Sequence, residues 1–170
     1  MLIKRGRFVD DPFLALADGE PAPQSGAILV SLKRFGAEKD ALLARGFPLA
    51  VRVAAGESPQ SLSDDVHKLA AVVLLVGYFK DGRAFSWARL IRTRLGYKGE
   101  IRISGHFLKD QIAFFSRVGA DAFDLSENIS PEDVDLALKE ISNVYQPSVD
   151  GRRTIPELRG RMNERRRLAS

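Results

Sequence analysis

The sequence predicts an α/β fold in which five strand–helix units build a parallel sheet. Short apolar or β-branched runs alternate with longer segments of helical periodicity between residues 27 and 141. A glycine closes three of the predicted helices, at Gly46, Gly96 and Gly119. Strands that alternate with helices form parallel sheets with right-handed crossovers, so this order indicates a single βα-repeat sheet.

The five units follow one another without interruption. The predicted strands cover residues 27–32, 49–53, 71–76, 100–104 and 121–125, and the predicted helices cover residues 38–45, 62–69, 85–95, 108–118 and 131–141. Ser61 and Ser130 are the expected N-caps of the second and fifth helices, and Pro131 suits a first helical position. A hairpin of residues 2–9 and a proline- and glycine-containing loop of residues 18–26 precede the units.

Two architectures fit these units. One is barrel-like, a partial (β/α)8 arrangement with all helices on one face; the other is a flavodoxin-like, doubly wound sheet. Arg52 and Arg102 each stand between two β-branched residues of a predicted strand. Alternate side chains point to opposite faces, so one face is apolar and the other partly polar. Central strands of a doubly wound sheet are usually apolar on both faces, which favours the barrel-like arrangement and keeps the flavodoxin-like sheet as the alternative.

Length and charge divide the chain into a body and a tail. Its 170 residues predict one α/β domain over residues 1–150 and a basic tail over residues 151–170. The tail contains seven arginines and two glutamates, whereas the whole chain has a net charge of only +4. Because no aromatic residue accompanies the tail's charges, we expect the tail to be solvated or to contact an acidic partner, and we do not expect it to bind nucleic acid.

Composition excludes several kinds of chemistry. The chain has no cysteine and only two histidines, His67 and His106. Thiolate nucleophiles, disulfides and cysteine-ligated clusters are therefore excluded, and no metal or haem is expected. A flavin stays open without a supporting motif, since no glycine-rich dinucleotide fingerprint or Walker loop occurs. The sequence has neither an apolar run long enough to cross a bilayer nor a secretory signal, so we expect a cytoplasmic protein without membrane contact.

Polar residues on the predicted strands suggest an anion site. Arg52, Arg102 and Asp124 are expected on one concave face, where arginine forks match the geometry of oxyanions. The alternative is that both arginines extend to water from a strand edge or end.

Further polar residues are predicted at the carboxyl ends of the strands, where parallel α/β proteins bind ligands. Arg83 and Ser86 would complete the anion site, with Lys80 and Asp81 on the same rim, although residues 80–83 also suit a simple polar turn. His106 and Asp110 are weaker candidates for acid–base catalysis. The full predicted rim comprises Arg34, Glu57, Ser58, Lys80, Asp81, Arg83, Ser86, His106, Asp110 and Glu127.

Several segments also carry a family resemblance. They are residues 26–30, 49–53, 81–86, 88–90, 96–102, 110–111 and 119–125, and the run from residue 81 to residue 125 is the specific part. On these segments the chain resembles the bacterial family called domain of unknown function 934. The resemblance implies an oxidoreductase or accessory protein of assimilatory sulfite reduction.

Six-electron reduction of sulfite needs metal or haem cofactors, so this chain is not expected to be the reductase. The leading hypothesis is an accessory protein that binds an oxyanion or docks on sulfite reductase or another sulfate-assimilation protein. The alternatives are a small α/β enzyme acting on an anionic metabolite and a flavin-binding electron carrier. A half-barrel leaves one face uncovered, so a homo-oligomer, or covering by the N-terminal segment, is also expected.

Overall fold

The computed structural model describes residues 1–126 and 129–168. The strands of this part are β1 (Leu2–Lys4), β2 (Arg7–Val9), β3 (Leu14–Ala15), β4 (Ile28–Ser31), β5 (Leu49–Val53), β6 (Ala71–Val76), β7 (Glu100–Gly105) and β8 (Ala122–Asp124). The α-helices are α1 (Leu32–Ala44), α2 (Arg83–Thr93), α3 (Gln111–Arg117), α4 (Pro131–Glu140) and α5 (Ile155–Leu168). The protein is a mixed α/β structure built on one curled half-barrel sheet.

The sheet is parallel in its middle and antiparallel at one edge. Its strand order is β2-β1-β8-β7-β6-β5-β4-β3. Strands β3 to β8 pair in parallel, whereas β1 pairs antiparallel with both β2 and β8. The predicted parallel sheet is therefore one part of a mixed sheet, in which the hairpin adds an antiparallel edge and satisfies the outer backbone groups of β8. The sequential order of β4 to β8 also differs from the 2-1-3-4-5 order of a flavodoxin-like sheet.

A short crossing segment, residues 10–13, links the two edges of the sheet, and we call it the strap. It joins β2 at one edge to β3 at the other. Seven strand spacings would separate these edges by roughly 34 Å in a flat sheet. The five steps from Val9 to Leu14 span at most about 18 Å. The sheet must therefore curl until its edges approach each other, with the strap passing over the face opposite the helices, here called the inner face.

The hydrophobic core lies between the outer face of the sheet and the helices. Alternating strand residues point into it because successive side chains face opposite sides. Strand residues of the core include Ile28, Val30, Val51, Val53, Val72, Leu74, Ile101, Ile103 and Phe123, and helix residues include Phe35, Ala88, Ile91, Ile112, Phe115 and Val134. Burying each large aliphatic side chain contributes about 1.5–3 kcal/mol, so this layer holds the helices on one face.

The first helix begins earlier than predicted. Helix α1 starts at Leu32 and not at residue 38, because the hydroxyl of Ser31 accepts a hydrogen bond from the backbone N–H of Arg34 at 3.0 Å. Glu38 has non-helical dihedral angles, φ −120° and ψ 18°, and marks a kink. The sequence pattern therefore identified the part of the helix beyond the kink.

The second predicted helix is replaced by two 3-10 turns, Pro59–Leu62 and Val66–Lys68. Ser58, and not Ser61, caps the first turn. Serine and aspartate side chains compete with the helical backbone for hydrogen bonds. Ser58 and Ser61 illustrate the competition, since the Ser58 hydroxyl accepts the backbone N–H of Gln60 at 3.3 Å and the Ser61 hydroxyl donates to the backbone carbonyl of Ser58 at 3.2 Å.

The C-terminal part confirms one cap and adds one helix. Ser130 and Asp133 form a capping box at the start of α4, with Pro131 beside them. Helix α5 occupies most of the predicted basic tail, and its Leu158 and Met162 are exposed. Within residues 1–126 and 129–168, none of the helices combines the length and apolar character needed to cross a membrane.

Candidate functional site

The turn between β6 and α2 is organised by an internal ion pair. The carboxylate of Asp81 accepts hydrogen bonds from the guanidinium of Arg83 at 2.7–3.1 Å and from the backbone N–H of Arg83 at 3.1 Å. These bonds lower the pKa of Asp81 to about 2. Because Asp81 already neutralises Arg83, this arginine is less available to a ligand than the sequence suggested.

The other predicted residues of this loop reach solvent. Lys80 is exposed, and its ammonium lies 5.6 Å from the ring centre of Phe79. Ser86 is exposed one helical turn inside α2. The structure thus places four predicted residues around the carboxyl end of β6: Lys80, Asp81, Arg83 and Ser86. Of these, Asp81 and Arg83 form an ion pair with each other.

The two candidates for acid–base catalysis are not joined to each other. His106 is exposed after β7, and its backbone N–H bonds the carbonyl oxygen of Val76 at 2.8 Å. Asp110 is the N-cap of α3 and makes no side-chain capping bond. Across the described ranges, no side-chain hydrogen bond links His106 with Asp110. In the part of the chain that the structure describes, Asp110 therefore does not orient His106 as a base.

Three other rim residues serve local structure. Arg34 is 5% exposed and donates hydrogen bonds to the backbone carbonyls of Ala17 and Glu20. Glu57 accepts the N–H of Ala54, and Ser58 caps the following turn. The remaining predicted residue, Glu127, lies outside the described residues.

The two strand arginines share the inner face. Arg52 of β5 lies opposite Val73 of β6, and Val73 lies opposite Arg102 of β7. Residues paired across a sheet point to the same side, so both guanidinium groups belong to one face. Their Cα atoms are two strand spacings apart, about 10 Å. The alternation in the sequence thus predicted the shared face correctly.

Their surroundings nevertheless differ. The side chain of Arg102 is only 2% exposed. Its Nη1 donates to Asp11 of the strap at 2.7 Å, and its Nε donates to Glu100 at 3.0 Å. Phe13 covers it, with the ring centre 5.5 Å from the guanidinium carbon. A second cation, Lys4, bonds Glu100 at 2.7 Å. Arg102 therefore ties the strap to the sheet, and its charge is compensated within the protein.

One nitrogen of Arg102 is incompletely satisfied. Nη2 lies 2.9 Å from Oε1 of Glu100, close enough for an ion pair, but without the alignment of a hydrogen bond. The contact still acts as an ion pair, because Coulomb attraction between full charges depends little on the donor angle.

Arg52 keeps its charge open to solvent. Its side chain is exposed on β5, and within the part of the chain that the structure describes it forms no ion pair. Its paired neighbour towards the sheet edge is Ser31, whose hydroxyl donates to Asp18 at 2.6 Å. Among the described residues of the inner face, Lys4 and Arg102 are paired with carboxylates, whereas Arg52 on the β4–β5 side is not.

Asp124 belongs to a different part of the inner face. It accepts the hydroxyl of Ser104 at 3.0 Å and lies 3.5 Å from the N-terminal amine. A depression of about 650 Å³ beside it is also lined by Asp10 and Asp11. Asp124 thus lies on the same face as the arginines, but its neighbours are the N-terminal amine, Ser104 and the carboxylates of Asp10 and Asp11.

Asp11, the strap residue that neutralises Arg102, is not predicted from the sequence. The two are 91 positions apart, and nothing local in residues 10–13 indicates the contact. The available signal was an arginine inside a strand that is otherwise apolar, because a buried guanidinium requires a carboxylate partner. This signal indicates that Arg102 has an acidic partner but does not identify which residue it is.

These features define a curled α/β half-barrel whose inner face is partly closed by its own N-terminal segment. Among the residues described, no group of three or more acidic or histidine side chains is placed to hold a metal ion. A family model described as "Bacterial protein of unknown function (DUF934)" matches residues 50–155. The chain belongs to this family. None of the curated proteins compared with it matches.

Proposed function

We propose that this protein is an accessory of assimilatory sulfite reduction that binds a small oxyanion at Arg52 and docks on the reductase. The pathway comes from the family resemblance. The observation that carries the site is Arg52 itself, an exposed guanidinium on the inner face without a carboxylate partner among the described residues. Arginine presents paired donors that match the oxygens of sulfite or sulfate.

The proposed site is smaller than the one predicted from sequence. Arg102 already bonds Asp11 and Glu100, so its contribution is to hold the strap in place. A single solvent-exposed guanidinium contributes at most about 1 kcal/mol per ion contact. We therefore expect weak binding of the free anion, about millimolar or weaker.

The basic tail supports the docking part of the proposal. Residues 151–170 contain seven arginines, and most of this segment forms α5. Complementary charge accelerates the encounter of two proteins, and salt weakens that effect. An acidic surface near the sulfite-binding centre of a reductase would be the matching partner.

The sheet supports a finer statement about the fold. We infer that the half-barrel corresponds to one part of a (β/α)8 barrel. Strands β4 to β8 follow one another in sequential order, and the helices cover one face. In such barrels the carboxyl ends of the strands carry the functional loops, which is where Asp81 and His106 lie.

The anion site can be tested by calorimetric titration with sulfite and sulfate at low ionic strength. Arg52→Ala should weaken binding by up to about fivefold, because it removes a donor fork that contributes at most about 1 kcal/mol. Arg89→Ala is the matched control, since it deletes an exposed arginine from α2 outside the inner face. Equal affinities of the Arg52 and Arg89 variants, or no saturable binding by the wild type, would contradict the site.

Docking has its own measurement. Association of the full chain with purified sulfite reductase should slow as salt rises, and slow further in the double variant Arg159→Gln, Arg161→Gln. Both side chains are exposed on α5. Unchanged association in that variant would remove α5 from the docking surface.

A further inference from the structure

A second pocket lies at the opposite ends of the strands, away from the inner-face arginine. It has a volume of about 390 Å³ and is lined by the hairpin turn, the residues before β7 and β8, and the segment after α4. Ligand pockets commonly have volumes of about 300–1,000 Å³. Phe123, Leu138 and Val149 supply apolar surface to it. The pocket can therefore receive a small molecule with an apolar body.

The acidic groups of this pocket are already neutralised. Asp121 forms an ion pair with Arg92 and also accepts the backbone N–H of Ile101. Asp150 pairs with Arg117 at 3.2 Å. Because each carboxylate is paired with an arginine, neither of them would strongly repel a bound anion.

The remaining arginine on this wall is fully used by the protein. Arg92 donates to the carbonyl oxygens of Gly119 at 3.0 Å, Tyr97 at 2.9 Å and Gly99 at 2.7 Å, in addition to Asp121. These bonds join the starts of β7 and β8. A Cβ at Gly119 would lie 2.4 Å from the Arg92 side chain, so the close approach requires glycine there. Arg92 therefore has a structural role in the pocket wall, and a ligand would be bound by other cations.

Two exposed cations line the pocket with no such compensation. Arg5 and Lys98 both contribute to its lining. Within residues 1–126 and 129–168, neither side chain forms an ion pair or a side-chain hydrogen bond. With both carboxylates paired, the excess charge at the pocket is about two positive units at pH 7. Such a site favours a dianion over a monoanion.

The backbone at Arg5 gives independent support. Its φ is 51°, the left-handed region that arginine rarely occupies, and Gly6 follows with φ 76°. Two-residue hairpin turns of this kind favour Asn-Gly, because in most other residues the Cβ atom crowds the following carbonyl oxygen in the left-handed region. Strain of this kind points to a use for the side chain. Here the guanidinium stands at the edge of a pocket.

We propose that this pocket binds a phosphomonoester with a small apolar body. A phosphate ester carries close to two negative charges at neutral pH, which matches Arg5 and Lys98. The apolar body would lie against Phe123, Leu138 and Val149. The site is independent of the anion site proposed at Arg52, because it lies at the amino ends of the strands.

Phenyl phosphate is the probe, titrated by calorimetry into the full chain. Arg5→Asn should weaken its binding at least about tenfold without lowering Tm, because asparagine accepts the left-handed turn. Arg7→Asn removes the same charge from the same hairpin but does not line the pocket, so its affinity should match the wild type. Lys98→Gln should also weaken binding.

The outcomes separate this site from the other proposal. Inorganic phosphate and phenol should each bind less tightly than phenyl phosphate, and Arg52→Ala should leave phenyl phosphate binding unchanged. Equal affinity of the Arg5→Asn and Arg7→Asn variants, or no saturable binding of phenyl phosphate by the wild type, would overturn the proposal. Loss of binding in Arg52→Ala would also overturn the assignment to this pocket.

Discussion

A carboxylate two residues before an arginine can close a turn instead of serving a ligand, and Asp81 does so with Arg83. The pair holds the start of α2, where Gly82 has no side chain to act as a cap. Residues 80–83 were predicted either as a polar turn or as part of a site. The internal ion pair favours the turn, although the neighbouring Lys80 and Ser86 keep their polar groups exposed.

The lowered pKa of Asp81 has a consequence for acid stability. Its folded-state pKa of about 2 lies below the ordinary value of 3.8, so the pair stabilises the fold above pH 3.8. That contribution is lost as the pH falls through about 2. In urea unfolding, the free-energy difference between wild type and Asp81→Asn should be constant near neutral pH and shrink between about pH 4 and pH 2.

Arg83→Gln provides the control, because it removes the guanidinium that lowers the pKa of Asp81. The Asp81 carboxyl should then titrate closer to its ordinary value in a carbon-13 NMR titration. The same pH dependence in wild type and Asp81→Asn would contradict the role of this ion pair.

At the scale of elements, local capping explains which helix boundaries the sequence could predict. Helix α4 starts where Ser130, Pro131 and Asp133 place it, and all three act within one turn. Helix α1 starts at a serine that also donates to Asp18, a residue of the preceding loop. The same hydroxyl still caps α1, so its start was missed because non-helical Glu38 interrupts the periodicity by which the sequence reveals the helix.

The cap of α4 can be measured directly. Ser130→Ala should lower the free energy of unfolding by about 1 kcal/mol, because the N–H of Asp133 loses its acceptor. Ser126→Ala is the control, and we expect a change below about 0.5 kcal/mol. Ser130→Asp should keep most of the stability, since aspartate also caps helices. Equal losses in both alanine variants in urea unfolding would contradict the cap.

At the scale of the whole molecule, the strap divides the inner face into a closed and an open part. Asp11 and Phe13 cover Arg102 near β7, whereas Arg52 on β5 stays exposed. The two arginines occupy one row of the sheet, so their difference arises from the path of the chain above them. The same closure partly covers the face that an open half-barrel would expose.

This division predicts unequal costs for the same substitution. Arg102→Met should lower the free energy of unfolding by about 2 kcal/mol, because Glu100, with a side chain only 9% exposed, keeps only Lys4 as a cation and Asp11 of the strap loses its donor. Arg52→Met should change it by less than about 0.5 kcal/mol. Adding Glu100→Gln to Arg102→Met should recover part of the loss in urea unfolding. Similar costs at the two arginines would contradict the division.

The sequence by itself determined what depends on neighbours and periodicity. It predicted the hairpin, four of the five parallel strand–helix alternations with α-helices, the cap of α4 and the polar face shared by Arg52 and Arg102. The 3-10 turns at residues 59–68 departed from the prediction, because the side chains of Ser58 and Ser61 bond the backbone of the segment. The features that were predicted depend on interactions between residues that are close in the sequence.

Only the tertiary structure decided which of the two strand arginines keeps an open charge. The antiparallel edge and the path of the strap bring Asp11 to Arg102 across 91 positions. They also place Arg5 at a pocket formed by segments distant in the chain. Partner choice of this kind depends on how the sheet curls, and the curl is a property of all strands together, which no short stretch of sequence encodes.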